Sequence, residues 1–369
     1  MEIKVNKGKI LVYRVFDIGS EIDLEKVEAL FEDKKLKERF KLDRKHNMSL
    51  IISKSPVSVQ LGTVDVKIMD IVQSCELLAK VWHFGTVSLC FQIPIFEGTT
   101  WPELIKIANW MENDTVLNDI AIIKAREFQS DIKHAIIPLM NDDWGMYEDY
   151  VTYYIQEFEG LTEPLINLSQ KVDVSALILA ELSENLSDSV KKNILENTYQ
   201  YLKDDLVVVD WNSALVVDPT GSMDVPLVIE FALNQLLEMR YYDDLLDERL
   251  NKLYNNVVGR EKGIFSKQYA RYAEEAGQMY LEISEIVENV ENSFKVVGDF
   301  YLAQIFRASS KRFRFDDWVK SINEKLGNLA EVSKLLHSEV NESRNQIMEM
   351  IIILLIAVEV IPLIWNAFF

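Results

Sequence analysis

The sequence predicts an α+β protein: a mixed N-terminal domain, then a long helical hairpin, then a C-terminal transmembrane helix. Three observations carry this expectation. Strand and helix patterns alternate over the first 220 residues, two later stretches repeat apolar or small residues in steps of three and four, and the last 19 residues contain one ionisable side chain, Glu359. With 369 residues the chain exceeds one ordinary core. The expected divisions are 1–220 for the mixed domain, readable as two related halves at 1–115 and 148–220, then 221–346 for the helical region and 347–369 for the membrane helix.

In the mixed domain, strand signals fall at Ile10 to Asp17, Ser49 to Leu61 with a break at Pro56, Gly85 to Pro94, Tyr150 to Glu159, and Leu206 to Asp218 with a break near Asn212. Helical signals fall at Asp23 to Phe31, Trp101 to Met111, Val174 to Leu182, Ser187 to Tyr201 and Met223 to Asn256. The stretches 10–61 and 150–218 share the order strand, helix, broken strand pair. That order suggests a duplicated β-α-β plait, although the halves share few identical residues.

The helix from Met223 is apolar around nearly its whole circumference, which marks a buried helix. Its polar residues Glu230, Asn234, Gln235, Glu238, Arg240 and Asp244 must then be enclosed and need partners. Arg240 and Asp244 stand at i,i+4 and can pair. The plainer reading is a structural charge network, and the alternative is a polar pocket that holds a ligand.

One heptad seam runs through Ala276, Tyr280, Ile283, Val287, Val290, Phe294, Val297, Tyr301 and Gln304. A second runs through Val319, Ile322, Leu326, Leu329, Ser333, Leu336, Val340, Ser343 and Ile347. Equal lengths suggest an antiparallel hairpin with Gln304 near Val319, Ala276 near Ile347 and Gly298 close to Gly327; a parallel homo-oligomeric stalk is the other arrangement. At the hairpin tip Arg307, Lys311, Arg312 and Arg314 interleave with Phe306, Phe313 and Phe315. Such a cluster can hold phosphates and stack bases, or contact a partner. It can also simply balance a helix dipole while the aromatics pack inward.

The final stretch, IIILLIAVEVIPLIWNAFF, would span roughly 29 Å as a helix, close to a bilayer's hydrocarbon thickness. Ile351, Leu354 and Leu355 supply apolar surface, Glu359 is the lone charge, Pro362 is tolerated in membrane helices and Trp365 suits an interface. A core helix buried in an oligomer is the competing reading. The N-terminus shows neither a signal peptide nor a transit peptide, so the membrane reading is a tail anchor with the N-terminal bulk cytoplasmic.

Charge and composition limit the function. There are 39 Lys+Arg against 59 Asp+Glu, a net charge of −20, which argues against general nucleic-acid binding. Residues 1–60 alone carry a small positive excess. Cys75 and Cys90 lack metal or redox spacing and read as buried reduced thiols. His46, His83, His134 and His337 stand apart, and no phosphate-binding, dinucleotide or metalloprotease motif occurs. The acidic turn at Asn141 to Asp149 lacks calcium-loop order. No catalytic residue, cofactor or metal is expected.

RYYDDLLDERLNKLY at Arg240 to Tyr254, KVVGDFYLAQIFRASSKRFRFDDWVKSINEKL at Lys295 to Leu326, IIILLIAVEVI at Ile351 to Ile361 and the Phe-Gly of HFGTVSLCFQI at His83 to Ile93 together resemble bacterial members of the required-for-meiotic-nuclear-division family. That resemblance implies a domain of unknown function with a C-terminal membrane segment; an animal mitochondrial member acts at the inner membrane in support of translation. It supplies no catalytic residues. The resulting expectation is a non-catalytic, tail-anchored scaffold or tether at the bacterial inner membrane, homo-oligomeric, with the lipid bilayer and a protein as partners. The alternatives are an enzyme or small-ligand sensor at the polar site near Glu238 and Arg240, and an RNA- or ribosome-associated tether, which the overall charge does not favour.

Overall fold

The computed structural model describes residues 2–31, 36–37, 55–113, 115–137, 147–161, 165–182, 186–258, 267–293 and 300–368; side chains at 36–37, 256–258, 267–269, 282, 285–287, 289–293 and 362–368 lie outside that description. The strands are β1 (Lys4–Asp17), β2 (Glu21–Ile22), β3 (Leu36–Lys37), β4 (Val57–Ile68), β5 (Ile71–Val81), β6 (Thr86–Pro94), β7 (Thr99–Thr100), β8 (Ile136–Ile137), β9 (Tyr147–Glu159), β10 (Thr198–Tyr199), β11 (Leu206–Val209) and β12 (Ser213–Val217). The helices are α1 (Leu24–Phe31), α2 (Trp101–Asn113), α3 (Val116–Ile132), α4 (Val174–Ile178), α5 (Asp188–Leu195), α6 (Asp224–Val258), α7 (Lys267–Ser293), α8 (Phe300–Arg312) and α9 (Phe315–Phe368). The chain divides into two compact units, one of residues 1–238 and 292–316, the other of residues 239–291 and 317–369.

The first unit is built on a 10-stranded sheet in the order β10-β11-β12-β9-β1-β6-β5-β4-β3, with β7 added beside β1. β1 is central, antiparallel to β6 on one side and to β9 on the other, and β12 joins β9 in parallel. This does not reproduce a duplicated plait. In the first stretch β4 lies three strands from β1, whereas in the second β12 lies directly beside β9.

Side chains alternate across a strand, so each strand feeds two layers. Ile10, Val12, Phe16, Val87, Leu89, Phe91, Leu77 and Ala79 form one face and pack with α1 to α5 in a single apolar core. Leu11, Tyr13, Val15, Ser88 and Cys90 occupy the intervening positions and are equally buried. The first turns of α6 cover that second face, with Phe231 5.3 Å from Trp82, and α8 joins it through Phe306, 5.6 Å from Phe231.

The sequence patterns left β5 and α3 unassigned. α3 buries Leu117, Ala121, Ala125, Phe128 and Ile132, a stripe in which two positions are only alanine, so its periodicity is weak. β4 runs to Ile68, beyond the expected end at Leu61, and turns into β5 through Met69 in the left-handed region. At the β5–β6 turn Gly85 has φ +105°, and a Cβ there would lie 1.6 Å from the Gly19 carbonyl oxygen. That close approach lets the Ile18 amide donate to the Gly85 carbonyl at 3.1 Å and sets the end of β1 against the turn. His46, the strand start at Ser49 and residues 141–146 of the acidic turn lie outside the described residues, while Tyr147 to Asp149 begin β9.

The second unit is helical. Arg240 with Trp318, Asp243 with Ser321 and Asp247 with Lys325 are each separated by the same 78 positions, so α6 and α9 run parallel there. Ser333 on α9 donates to the Ala273 carbonyl on α7 at 3.2 Å. The seam serine thus makes a cross-helix hydrogen bond. The expected register put Ala276 beside Ile347 instead. The expected first hairpin helix is also divided: α7 lies in the second unit, α8 with Tyr301 and Gln304 in the first, and Gly298 lies outside the described residues.

The transmembrane expectation is corrected. Among the described residues no helix is long and apolar enough to cross a membrane. Glu349 and Arg344 lie just before the apolar run that begins at Ile351. Ile351, Leu354, Leu355 and Glu359 are exposed positions of α9, and the side chains of Pro362 and Trp365 lie outside the described residues. The tail anchor, and the single-pass inner-membrane location that followed from it, lose their basis.

Candidate functional site

A polar lane crosses the second face of the sheet under α6. Its first rung is a cross-strand pair, Lys80 on β5 and Ser88 on β6. Both reach Glu230, which is completely buried: Lys80 Nζ pairs with Oε2 and Ser88 Oγ donates to Oε1 at 2.5 Å. One helical turn on, Thr86 Oγ1 donates to Asn234 Oδ1 at 2.6 Å, and Asn234 Nδ2 donates back to the Glu230 carbonyl at 2.7 Å. Each polar group is answered, as burial demands.

The next rung is different. Asp17 stands opposite Thr86 in the β1–β6 register, and Glu238 lies one turn beyond Asn234. Both carboxyls are buried, at 5% and 3% exposure. Both oxygens of Asp17 and Oε1 of Glu238 have no hydrogen-bond partner among the described residues; nor does the Oε1 of the equally buried Gln235. Burial pushes the Asp17 carboxyl up to about 8, with the nearby Gly19 amide offsetting part of the rise. Burial, then the charge of Asp17, holds Glu238 well above the ordinary carboxylate range.

The lane also explains the thiols. Cys90 sits beside Tyr13 in the register, and burial, aided by the Glu230 charge, pushes it up to about 12. Burial raises Cys75 to about 11. Both are free and have no thiolate character at neutral pH.

Of the six residues expected in the polar network, Glu230, Asn234, Gln235 and Glu238 lie in this buried layer. The Arg240 guanidinium instead lies 6.0 Å from the Trp318 ring in the second unit, and Asp244 is exposed. Asp243, Asp244 and Asp247 form an acidic cluster, but the Lys325 ammonium already sits 2.9 Å from Asp243 and 2.6 Å from Asp247.

The basic cluster is not a free tip. Phe306, Phe313 and Phe315 are buried, and Arg312 donates to Asn193 Oδ1 at 3.0 Å and to its carbonyl at 2.8 Å, with Nε 3.3 Å from Asp210. Arg307 caps back onto the Ala303 carbonyl at 3.2 Å, Lys311 is exposed, and Arg314 is an exposed left-handed residue. A separate cavity of about 660 Å³ is lined by Glu21, Asp23, Lys26, Ser55, His83 and His134.

Asp17, Lys80, Thr86 and Ser88 were not among the expected site residues. A signal was present. In TVSLCFQIP the polar or small residues Thr86, Ser88, Cys90 and Gln92 fall on every second position of a strand, and in a strand covered on both sides that pattern means a polar buried face.

Sheet, helical layers and lane together define a three-layer α/β/α body whose last covering helix continues into a helical unit. Residues 7–224 match the family model described as the N-terminal domain of the uncharacterized protein MJ0711, which is more than half of the chain. The chain belongs to that family. It is 22% identical over 219 residues to the uncharacterized protein MJ0711 of Methanocaldococcus jannaschii, covering 58% of this chain and 65% of the relative, so just under two thirds of that relative's length is spanned. No solved structure matches. This membership overturns the resemblance to the required-for-meiotic-nuclear-division family and to its bacterial-type members. The short stretches that carried that resemblance mostly lie beyond residue 224, outside the matched domain.

Proposed function

We propose that the chain is a non-catalytic scaffold that assembles with further copies of itself through the final stretch of α9. The observation that carries this reading is the run from Met348 to Ile361. Ile351, Ile352, Ile353, Leu354, Leu355 and Ile356 are each more than half exposed, on every side of the helix. Each such side chain gains about 1.5–3 kcal/mol when fully buried. Apolar patches of this size mark interaction surfaces. A groove on one partner covers one side of a helix, whereas in a bundle of identical segments each helix is covered by more than one neighbour. Copies of α9 are therefore the occupant we favour. The committed basic cluster and the net charge of −20 give an RNA or ribosome partner no comparable support.

Sedimentation of the full chain and of a chain ending at residue 346 tests the proposal. The full chain should sediment as a multimer of defined size and the shortened one as a monomer. Equal masses for the two would sink it, and so would a full chain that stays monomeric and floats with lipid vesicles.

A further inference from the structure

We propose that Asp17 and Glu238 bind a hard divalent cation of the Mg²⁺ or Mn²⁺ type between the end of β1 and α6. Topology brings the pair together. Asp17 faces Thr86 across the β1–β6 ladder, Thr86 holds Asn234 at 2.6 Å, and Glu238 follows Asn234 by one helical turn on the same side of α6. Their proximity is also felt electrostatically, since the charge of Asp17 acts on Glu238.

What the pair lacks identifies the ligand. Asp17 Oδ1 and Oδ2, Glu238 Oε1 and, on the preceding turn, Gln235 Oε1 are buried acceptors without a donor in hydrogen-bonding geometry among the described residues, the Gly19 amide near Asp17 falling short of it. A native fold rarely leaves so many buried acceptors of neighbouring elements unanswered. On the lane's own face Lys80 is committed to Glu230 and Lys9 donates to Gln92 Oε1 at 2.9 Å, while alternation puts Arg14 on the opposite face, where it donates to Asn118 Oδ1 at 2.6 Å. All four of these acceptor atoms are oxygens, and carboxylate and amide oxygens are the ligands of hard cations. Two carboxylates match a charge of +2. Such an ion would fasten α6 to β1 at the one rung of the lane that the side chains leave unclosed. The inference does not depend on self-assembly, because both carboxyls lie in the first unit.

The test uses the full chain, stripped with a chelator and titrated with Mn²⁺ at about pH 8, with bound ion read by electron paramagnetic resonance and stability by thermal melting. The wild type should bind one Mn²⁺ per chain and melt at a higher temperature with it. Asp17→Asn should weaken that binding by about tenfold or more, and its melting should no longer respond to the ion. Glu238→Gln should do the same, and Asp247→Asn, in the cluster already held by Lys325, should change nothing. Absence of binding by the folded wild type would overturn the proposal. Undiminished binding by Asp17→Asn would do so too, whether or not Glu238→Gln folds.

Discussion

The two faces of the sheet are buried to the same degree and built from opposite materials. Toward α1 to α5, the strands present Ile10, Val12, Phe16, Leu89 and Phe91. Toward α6 they present Tyr13, Asp17, Lys80, Thr86 and Ser88, also closed to solvent. Apolar contact is non-directional, so the first face rewards area and tolerates small slides of a helix. The second face rewards only one position of α6, the one that sets Glu230 against Lys80 and Ser88 while Asn234 meets Thr86. The lane therefore fixes where α6 lies, and so where the helix emerges from the first unit.

The largest expected effect separates the faces directly. Lys80→Met leaves the Glu230 carboxyl buried without its cation, and should cost about 3–5 kcal/mol in urea unfolding. Adding Glu230→Leu and Ser88→Ala should recover most of that loss, because a whole buried pair can often be replaced by apolar groups at little cost. Leu89→Ala on the apolar face should cost about 2–5 kcal/mol, and no partner substitution should restore it, since what is lost is volume. If Lys80→Met cost less than about 1 kcal/mol, the pair would behave like a surface ion pair and the contrast between the faces would fail.

The contrast also shows what can be read from the chain alone. The apolar face is a matter of period, and β1, β6, β9, α2 and α6 are visible in the sequence as alternation or as a 3.6-residue stripe. α3 is not, because Ala121 and Ala125 dilute its stripe. The buried polar residues of α6 are legible too: a helix apolar all round must enclose Glu230, Asn234 and Glu238. Their partners are not, since Asp17, Lys80 and Thr86 are placed by pairing across the sheet, over separations of more than 140 residues for Lys80 and Thr86. Arg240 and Asp244 looked like continuations of the network at i,i+4 spacing, but α6 leaves the first unit after Glu238, and beyond that point its neighbours change. The last apolar run was legible as apolar but not as to what covers it.

A second prediction uses the unclosed rung. In chelator, the folded state keeps the Asp17 proton up to about pH 8, while the unfolded chain releases it near its ordinary value of 3.8. The folded state then binds more protons throughout that window, so stability should fall as pH rises from about 4 to about 8 and level off above. The raised carboxyl of Glu238 acts in the same direction. Asp17→Asn should flatten much of this slope: it should unfold at higher urea than the wild type at pH 8, and the difference should shrink toward pH 4. Equal slopes for the two proteins would mean that the lane's last rung is answered by a group other than a proton.

The smallest effect belongs to a polar contact on the apolar side, at its rim. Asp173 caps α4 by accepting the Ala176 amide at 3.0 Å, and its other oxygen pairs with Lys191 at 2.7 Å. Burial pulls its carboxyl upward, but the Lys191 ammonium and the Ala176 amide together hold it below the ordinary value. A depressed carboxyl stabilises the fold above its unfolded value, and the contribution disappears as pH falls through the folded one, so this contact is lost in acid. Asp173→Ala should cost only about 1 kcal/mol at neutral pH, the usual worth of an N-cap. Asp173→Asn should keep most of the cap and lose the acid dependence. Water reaches this carboxyl and can answer for a missing partner; it does not reach Glu230. The same chemistry, a carboxylate paired with a lysine, should therefore be worth several times more in the lane than at the rim. If Asp173→Ala proved as damaging as Lys80→Met, burial would not be what separates them.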